Sequence, residues 1–310
     1  MLYVSTRNQT DTFTAYRALN ENVAPDGGMY IPFHLPVFTQ EELATIKTKP
    51  CCDVIAQILN LFFGVHLTGL DVEFAISKTP FKLETMQHKF VVAECWRNPG
   101  YSYDYIRRSL YALMAENKSS AGMPAGWACV GIKIALLFGL YSVMGSDMQG
   151  VDVAITAGDY SDLSAIAYAK AMGLPVDMTI CACDDDSAFW DLINRGEYAA
   201  MPAQPDYMES YLCALLGKDT VRASDNAEQK RCVYRIDEDQ QSILAENVFA
   251  AVVSSKRVDS VISNMHRTNG YTFDTEAALA YGGLQDYRSS TGVSKDTLLF
   301  SINRPVRIKE

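Results

Sequence analysis

The sequence has no block of clustered Lys and Arg: 27 basic residues stand against 37 acidic ones, giving a formal net charge of -10. Binding to nucleic acid or to an anionic membrane surface draws on concentrated positive charge, so neither is expected, and small molecules or proteins are left as partners. None of the eight cysteines is spaced C-x-x-C. Cys51-Cys52 and Cys181-Ala182-Cys183 are therefore read as buried free thiols, with no disulfide and no metal centre. The opening MLYVSTRNQTDTF lacks the basic, apolar and small-residue succession of a secretory leader. Apolar runs such as Ile132 to Met144 fall short of the about 20 residues that cross a bilayer. These absences predict a cytoplasmic protein, and no internal repeat is present.

What is present is ample core material, 48% hydrophobic residues, arranged as strands alternating with helices. Helical composition marks Phe13 to Asn20, Gln40 to Lys47 and Asp53 to Phe63, which predicts a small helical N-terminal region. FVVAECW, Phe90 to Trp96, reads as a buried strand broken by Asn98-Pro99-Gly100, with a helix following from Tyr103 to Glu116. Lys118 to Gly126 is linker-like. Trp127 to Met144 is an apolar helix buried on most of its circumference. Val151 to Pro175 follows as strand, tight turn at Ala157-Gly158-Asp159, and helix, a geometry that aims helix N-terminal amides into a crevice. Further strands are predicted at Val176 to Cys183, Cys232 to Ile236 and Thr297 to Ile302. Helices are predicted at Ser187 to Ile193, Tyr207 to Leu216, Gln240 to Val253 and Glu276 to Tyr287, with an exposed loop from Lys218 to Lys230. Asp184-Asp185-Asp186 sits where acidic residues favour a helix N-terminus, a sufficient reason for them without a metal. The fold class is α/β, a mostly parallel sheet flanked by helices.

Several of these stretches together resemble threonine synthase, a fold-type II pyridoxal-phosphate (PLP) enzyme related in fold to the tryptophan synthase β chain. Ala24-Pro25-Asp26-Gly27-Gly28-Met29-Tyr30-Ile31-Pro32 is similar to the family's N-terminal signature. Trp127 to Tyr141 is similar to the helix before its phosphate loop, and Ala157 to Pro175 to that loop and the helix after it. The resemblance implies an N-terminal region at 1–88 and a PLP-enzyme-like α/β domain at 89–310. The family's small domain is largely deleted near 118–126.

The resemblance also implies where cofactor chemistry would sit. Asp104 occupies the position of the Schiff-base lysine, and a carboxylate forms no imine. In the implied phosphate loop, Ala157, Gly158, Asp159, Tyr160 and Ser161, Asp159 replaces an Asn and Ser161 a Gly. Both changes oppose a phosphate, by charge and by bulk. Ile302, with Asn303 after it, stands where a Thr faces the pyridine nitrogen, and Ile offers no hydrogen bond. Asp274-Thr275-Glu276 lacks the family's His.

The expectation is therefore a pseudoenzyme without PLP, binding a ligand or a protein partner, and homo-oligomeric, as a dimer, to hide the surface that a lost domain leaves. The tyrosine-rich stretch from Trp96 to Tyr111 is a candidate cover or contact surface. Two alternatives stay open. One is a PLP-independent enzyme using Asp104, Asp159 and Arg97 as acid, base and anion-holding groups. The other is a PLP enzyme recruiting Lys133 or Lys170, either of which is otherwise read as a solvated helix lysine.

Overall fold

The structure, a computed structural model, describes residues 1–96, 102–115, 122–144, 150–183, 188–200, 206–217, 224–226 and 231–305. The N-terminal region is mixed rather than helical. Strands β1 (Leu2–Ser5), β2 (Phe13–Thr14) and β3 (Tyr30–Pro32) form an antiparallel sheet in the order β2-β1-β3, around helix α1 (Ala15–Asn20). Two- to four-residue strands are too short to show an alternating pattern, which is why the sequence reading passed over them. Helices α2 (Gln40–Ile46), α3 (Cys51–Phe63) and α4 (Gly69–Ile76) follow.

The turn between α1 and β3 shows why two glycines sit there. Gly27 has a left-handed φ of 81°. Ser5 Oγ and the Gly28 amide both donate to Asp26 Oδ1, at 2.7 and 3.0 Å, and the Met29 amide donates to Thr6 Oγ1 at 2.9 Å. A Cβ on Gly28 would fall 2.3 Å from Ser5 Oγ and 2.7 Å from Thr6 Oγ1. Beyond this turn, buried Glu209 takes Arg7 Nε on both carboxylate oxygens at 3.1 Å, tying the start of the chain to a distant helix.

The main sheet has the order β11-β7-β6-β12-β5-β4. Its members are β4 (Lys82–Met86), β5 (Phe90–Glu94), β6 (Val151–Thr156), β7 (Val176–Cys183), β11 (Val248–Val252) and β12 (Thr297–Ser301). All neighbours are parallel except edge strand β4, which is antiparallel to β5. Strands β8 (Glu197–Ala200), β9 (Ser224–Asn226) and β10 (Arg231–Arg235) make a small separate antiparallel sheet. Helices α5 (Tyr103–Met114), α6 (Gly126–Val143), α7 (Ser161–Ala171), α8 (Ala188–Arg195), α9 (Tyr207–Leu216), α10 (Glu238–Asn247), α11 (Ser255–Asn269) and α12 (Thr275–Thr291) complete the described elements. One core, running from Tyr3 to Leu298, joins the N-terminal helices to α6 and α7; a second lies under α11 and α12 on the other side of the sheet.

Helix α6 is the axis of the first core. It is long and apolar enough to cross a membrane, against the sequence expectation, but 83% of it is buried inside the protein. Gly131 and Gly139 bring it against α3: a Cβ on either would meet Phe63 Cζ at 2.8 Å or Ile55 Cγ1 at 2.6 Å. The cysteines at 51, 52, 95, 129, 181, 183 and 213 are free and buried, as expected. No cluster of metal-ligating side chains occurs among the described residues.

Two further expectations are corrected. Gln240 to Val253 is not one helix: α10 ends at Asn247, and Val248–Val252 is the edge strand of the main sheet. A short apolar run has the same hydrophobic pattern in a buried strand as in a buried helix, so VFAAV could not be told apart by period. Ser224–Asn226, within the expected loop, pairs with Arg231–Val233. Asp184, Asp185 and Asp186, and residues 118–121 of the linker-like stretch, lie outside the described residues.

Gly28→Ala should lower stability by about 1–3 kcal/mol, the range for steric overpacking, read as a lower urea midpoint at unchanged slope. Unchanged stability would refute the tight contact with Ser5 and Thr6.

Candidate functional site

The parallel strands end on one edge of the sheet, the place where open α/β folds bind ligands. There β6 supplies Ile155 and Thr156, α7 supplies Asp162 and Ile166, and α12 supplies Glu276 and Ala280. Helix α6 contributes Lys133, Leu136 and Leu137, while Phe81, Tyr103, Phe300 and Ile302 close the space. They line a cavity of about 50 Å³, mostly apolar, with Lys133 of α6, Asp162 of α7 and Glu276 of α12 as its charged groups.

Between β6 and α7 the chain turns through Gly158 and Tyr160, at left-handed φ values of 48° and 66°. For a tyrosine this backbone costs about 1–2 kcal/mol. Its ring is braced by Phe189 and Tyr198, with centroids 5.8 and 6.0 Å away. The turn brings the Asp159 carboxylate onto the start of α7, where Oδ1 accepts the Ser161 amide at 3.0 Å and also the Ser161 hydroxyl. Ser161 is fully buried, and its Oγ accepts from Lys133 Nζ at 2.6 Å. The same ammonium lies 2.8 Å from Asp162 Oδ2. One serine hydroxyl therefore links Lys133 to Asp159.

The charges fix one another. Burial alone would push Lys133, 4% exposed, toward its neutral form, but the facing Asp162 carboxylate, with Cys129 and Asp159, holds its pKa above the ordinary value. Burial likewise works against the Asp159 carboxylate; the Lys133 ammonium and the two Ser161 hydrogen bonds outweigh it and hold that pKa low. Glu276 goes the other way: burial, reinforced by nearby Asp274, raises its pKa, with the Thr156 hydroxyl donating to it at 3.3 Å. Beside the cavity, Asp274 accepts from Ser301 Oγ at 2.6 Å and from the Asn303 amide at 3.4 Å, and it caps α12 through the Ala277 amide.

Ala157, Gly158, Asp159, Tyr160 and Ser161 follow the carboxyl end of β6, Ile302 follows that of β12 and lines the cavity, and Asp104 lies aside. On the first turn of α5, Asp104 has a side chain 64% exposed and pairs with Arg107 at 2.6 Å, while its neighbour Tyr103 is the residue that lines the cavity. Arg97 lies outside the described residues. Lys170 is half-buried and donates to the Asp177 carbonyl at 2.7 Å, near the far end of α7. Lys133 corrects the expectation of a solvated lysine. The signal was present: it is the one charged residue in the 18 of α6, and a lysine that is fully buried needs a partner. Asp162 and Thr156 were missed because nothing local distinguishes them from ordinary first-turn and strand-end residues.

Because the Asp159 pKa is depressed on folding, its stabilising contact is present at neutral pH and above the unfolded carboxylate value of about 3.9. It is lost as pH falls from there through the lower folded value. Asp159→Asn should therefore flatten the acid side of a stability profile taken from urea midpoints; an unaltered acid side would refute the assignment. Lys133→Met, which strands both carboxylates, should cost about 1–3 kcal/mol at neutral pH, discounted for the partial exposure of Asp162.

Residues 2–79 match the family model described as threonine synthase N terminus. Over 145 residues the chain is 26% identical to Threonine synthase-like 1 of Homo sapiens, and equally to that of Pongo abelii, over 42% of this chain. The match spans only 20% of the length of those proteins. Threonine synthase of Pseudomonas aeruginosa is 30% identical over 79 residues, 26% of this chain and 17% of that one. Among solved structures, the PLP-bound threonine synthase of Brucella melitensis superposes with a TM-score of 0.78 at 16% identity, covering 98% of this chain and 89% of that one. Yeast threonine synthase superposes at 0.76 with 13% identity, covering 98% and 87%. The chain thus combines an N-terminal segment similar to that of threonine synthase with the fold of the solved threonine synthases.

Proposed function

We propose that this protein is a threonine-synthase-like scaffold that has given up PLP catalysis and acts by binding a ligand or a protein partner. The observation that carries the reading is the crevice itself: about 50 Å³, where sites for cofactors and comparable ligands run to about 300–1,000 Å³. Supporting it, the lysine that lines the cavity is held as an ammonium by Asp162 and Ser161, and an ammonium has no lone pair with which to attack an aldehyde. Asp104 offers no amine, Ile302 offers nothing to a ring nitrogen, and Asp159 puts a negative charge where a phosphate would need positive ones. The residues present do not fit the cofactor.

A PLP-independent acid–base enzyme is less well supported, because Asp104 pairs with Arg107 rather than facing Asp159. Recruitment of another lysine narrows to Lys133, since Lys170 is engaged elsewhere. Incubation with pyridoxal phosphate distinguishes these readings. We expect no visible absorption band of an internal aldimine and no lysine labelled after borohydride reduction. A trapped adduct mapped to Lys133 would overturn the reading.

We also propose that the protein acts in the cytoplasm as a homodimer. Phe74 and Leu70, one turn apart on α4, are 95% and 76% exposed, and Tyr105 on the adjoining α5 is 43% exposed, more apolar surface than a lone helix pair has reason to leave in water. Light scattering should give about twice the chain mass of 34.3 kDa; a mass of one chain counts against it.

A further inference from the structure

The cavity at the carboxyl end of the sheet has two kinds of wall. Most of it is apolar: Leu136 and Leu137 of α6, Ile155 of β6, Ile166 of α7 and Ala280 of α12 line it and are buried. Two carboxylates reach from this lining to solvent, Asp162 with 42% of its side chain exposed and Glu276 as an exposed residue, and so mark the mouth. They stand close enough for the Asp162 charge to oppose ionisation of Glu276. Asp162 gives Oδ2 to Lys133 at 2.8 Å, and Glu276 gives Oε2 to the Thr156 hydroxyl at 3.3 Å. A carboxylate accepts on both oxygens, so each has a second one to offer.

We propose that this cavity binds a short aliphatic primary ammonium ion, with its tail among Leu136, Ile155, Ile166 and Ala280 and its head between Asp162 and Glu276. The proposal rests on the reading of the crevice as a binding site without its cofactor. Volume sets the tail: about 50 Å³, at about 10–15 Å³ for each water-sized group, leaves room for about four carbons. Charge sets the head. With both carboxylates ionised, the lining carries two negative charges against the single positive one of Lys133, and an incoming cation corrects the excess. Lys133 does not repel that cation on balance, because Asp159 also faces its ammonium through Ser161. An alcohol of the same shape fills the apolar part and leaves the charge unanswered. An amino acid brings a carboxylate of its own to the same acidic mouth, where like charge opposes it.

The test is calorimetric titration of isobutylammonium chloride into the full chain, beside isobutanol, valine and methylammonium chloride. Valine is isobutylamine with an α-carboxylate added, and methylammonium is the head without the tail. Isobutylammonium should bind saturably at a single site, and isobutanol and valine at least about tenfold more weakly. Methylammonium should lose about fourfold for each carbon removed. Glu276→Gln, checked for folding by circular dichroism, should weaken isobutylammonium binding about tenfold; if that variant does not fold, the ligand series on the unaltered protein decides. Absence of saturable isobutylammonium binding overturns the proposal. So does methylammonium binding as tightly, which reports only the acidic surface, or valine binding as tightly, or an affinity that Glu276→Gln leaves unchanged. No pyridoxal phosphate enters these titrations, so a lysine trapped by that aldehyde and a failure to bind the amine are separate results.

Discussion

The crevice is organised by a single ammonium that helix α6 carries into the protein interior. An ion without a counter-charge in such a place costs several kcal/mol, so the element that packs against Lys133 has to bring carboxylates with it. Helix α7 does so at its first turn, where Asp162 and, through Ser161, Asp159 reach the lysine. The rest of the loop follows from that demand. To place Asp159 on the amide of Ser161, the chain passes through a left-handed Tyr160, and the aromatic rings of Phe189 and Tyr198 hold it there.

The parts that make the fold and the parts that face the crevice are carried by different residues. Sheet register and the α3–α6 contact depend on strand pairing, apolar side chains and glycines, and the N-terminal turn on its glycines with Ser5, Thr6 and Asp26. The crevice depends on about half a dozen side chains at strand ends and helix starts. That separation lets a chain keep a threonine synthase fold at 16% identity to a solved relative while presenting a lysine, two carboxylates and a largely apolar remainder as the lining of its cavity.

Legibility in the sequence followed the range of each signal. Val176 to Cys183 and the α6 and α7 helices were plain because their hydrophobic patterns run for eight residues or more. Strands β2, β3 and β9, of two or three residues, exist only through partners distant in the chain, and local pattern does not carry that information. Val248–Val252 was misassigned because burial on both faces erases the period that separates strand from helix. In the site, the loop at 157–161 was readable from the turn and the helix after it. The Lys133 partnership was not, because 28 residues separate it from Ser161 and only packing of α6 against α7 brings them together. The direction of Asp104 depends on the rotation of α5, where adjacent residues point about 100° apart.

Gly131 and Gly139 press α6 against α3 with no room for a side chain between them. The segment similar to the threonine synthase N terminus is thus packed without a gap on the helix that carries Lys133. A protease that nicked the chain between them would not release a folded fragment. It would expose the apolar face of α3 on one piece and the glycine-lined face of α6 on the other, surfaces that mark a chain for degradation in the cell.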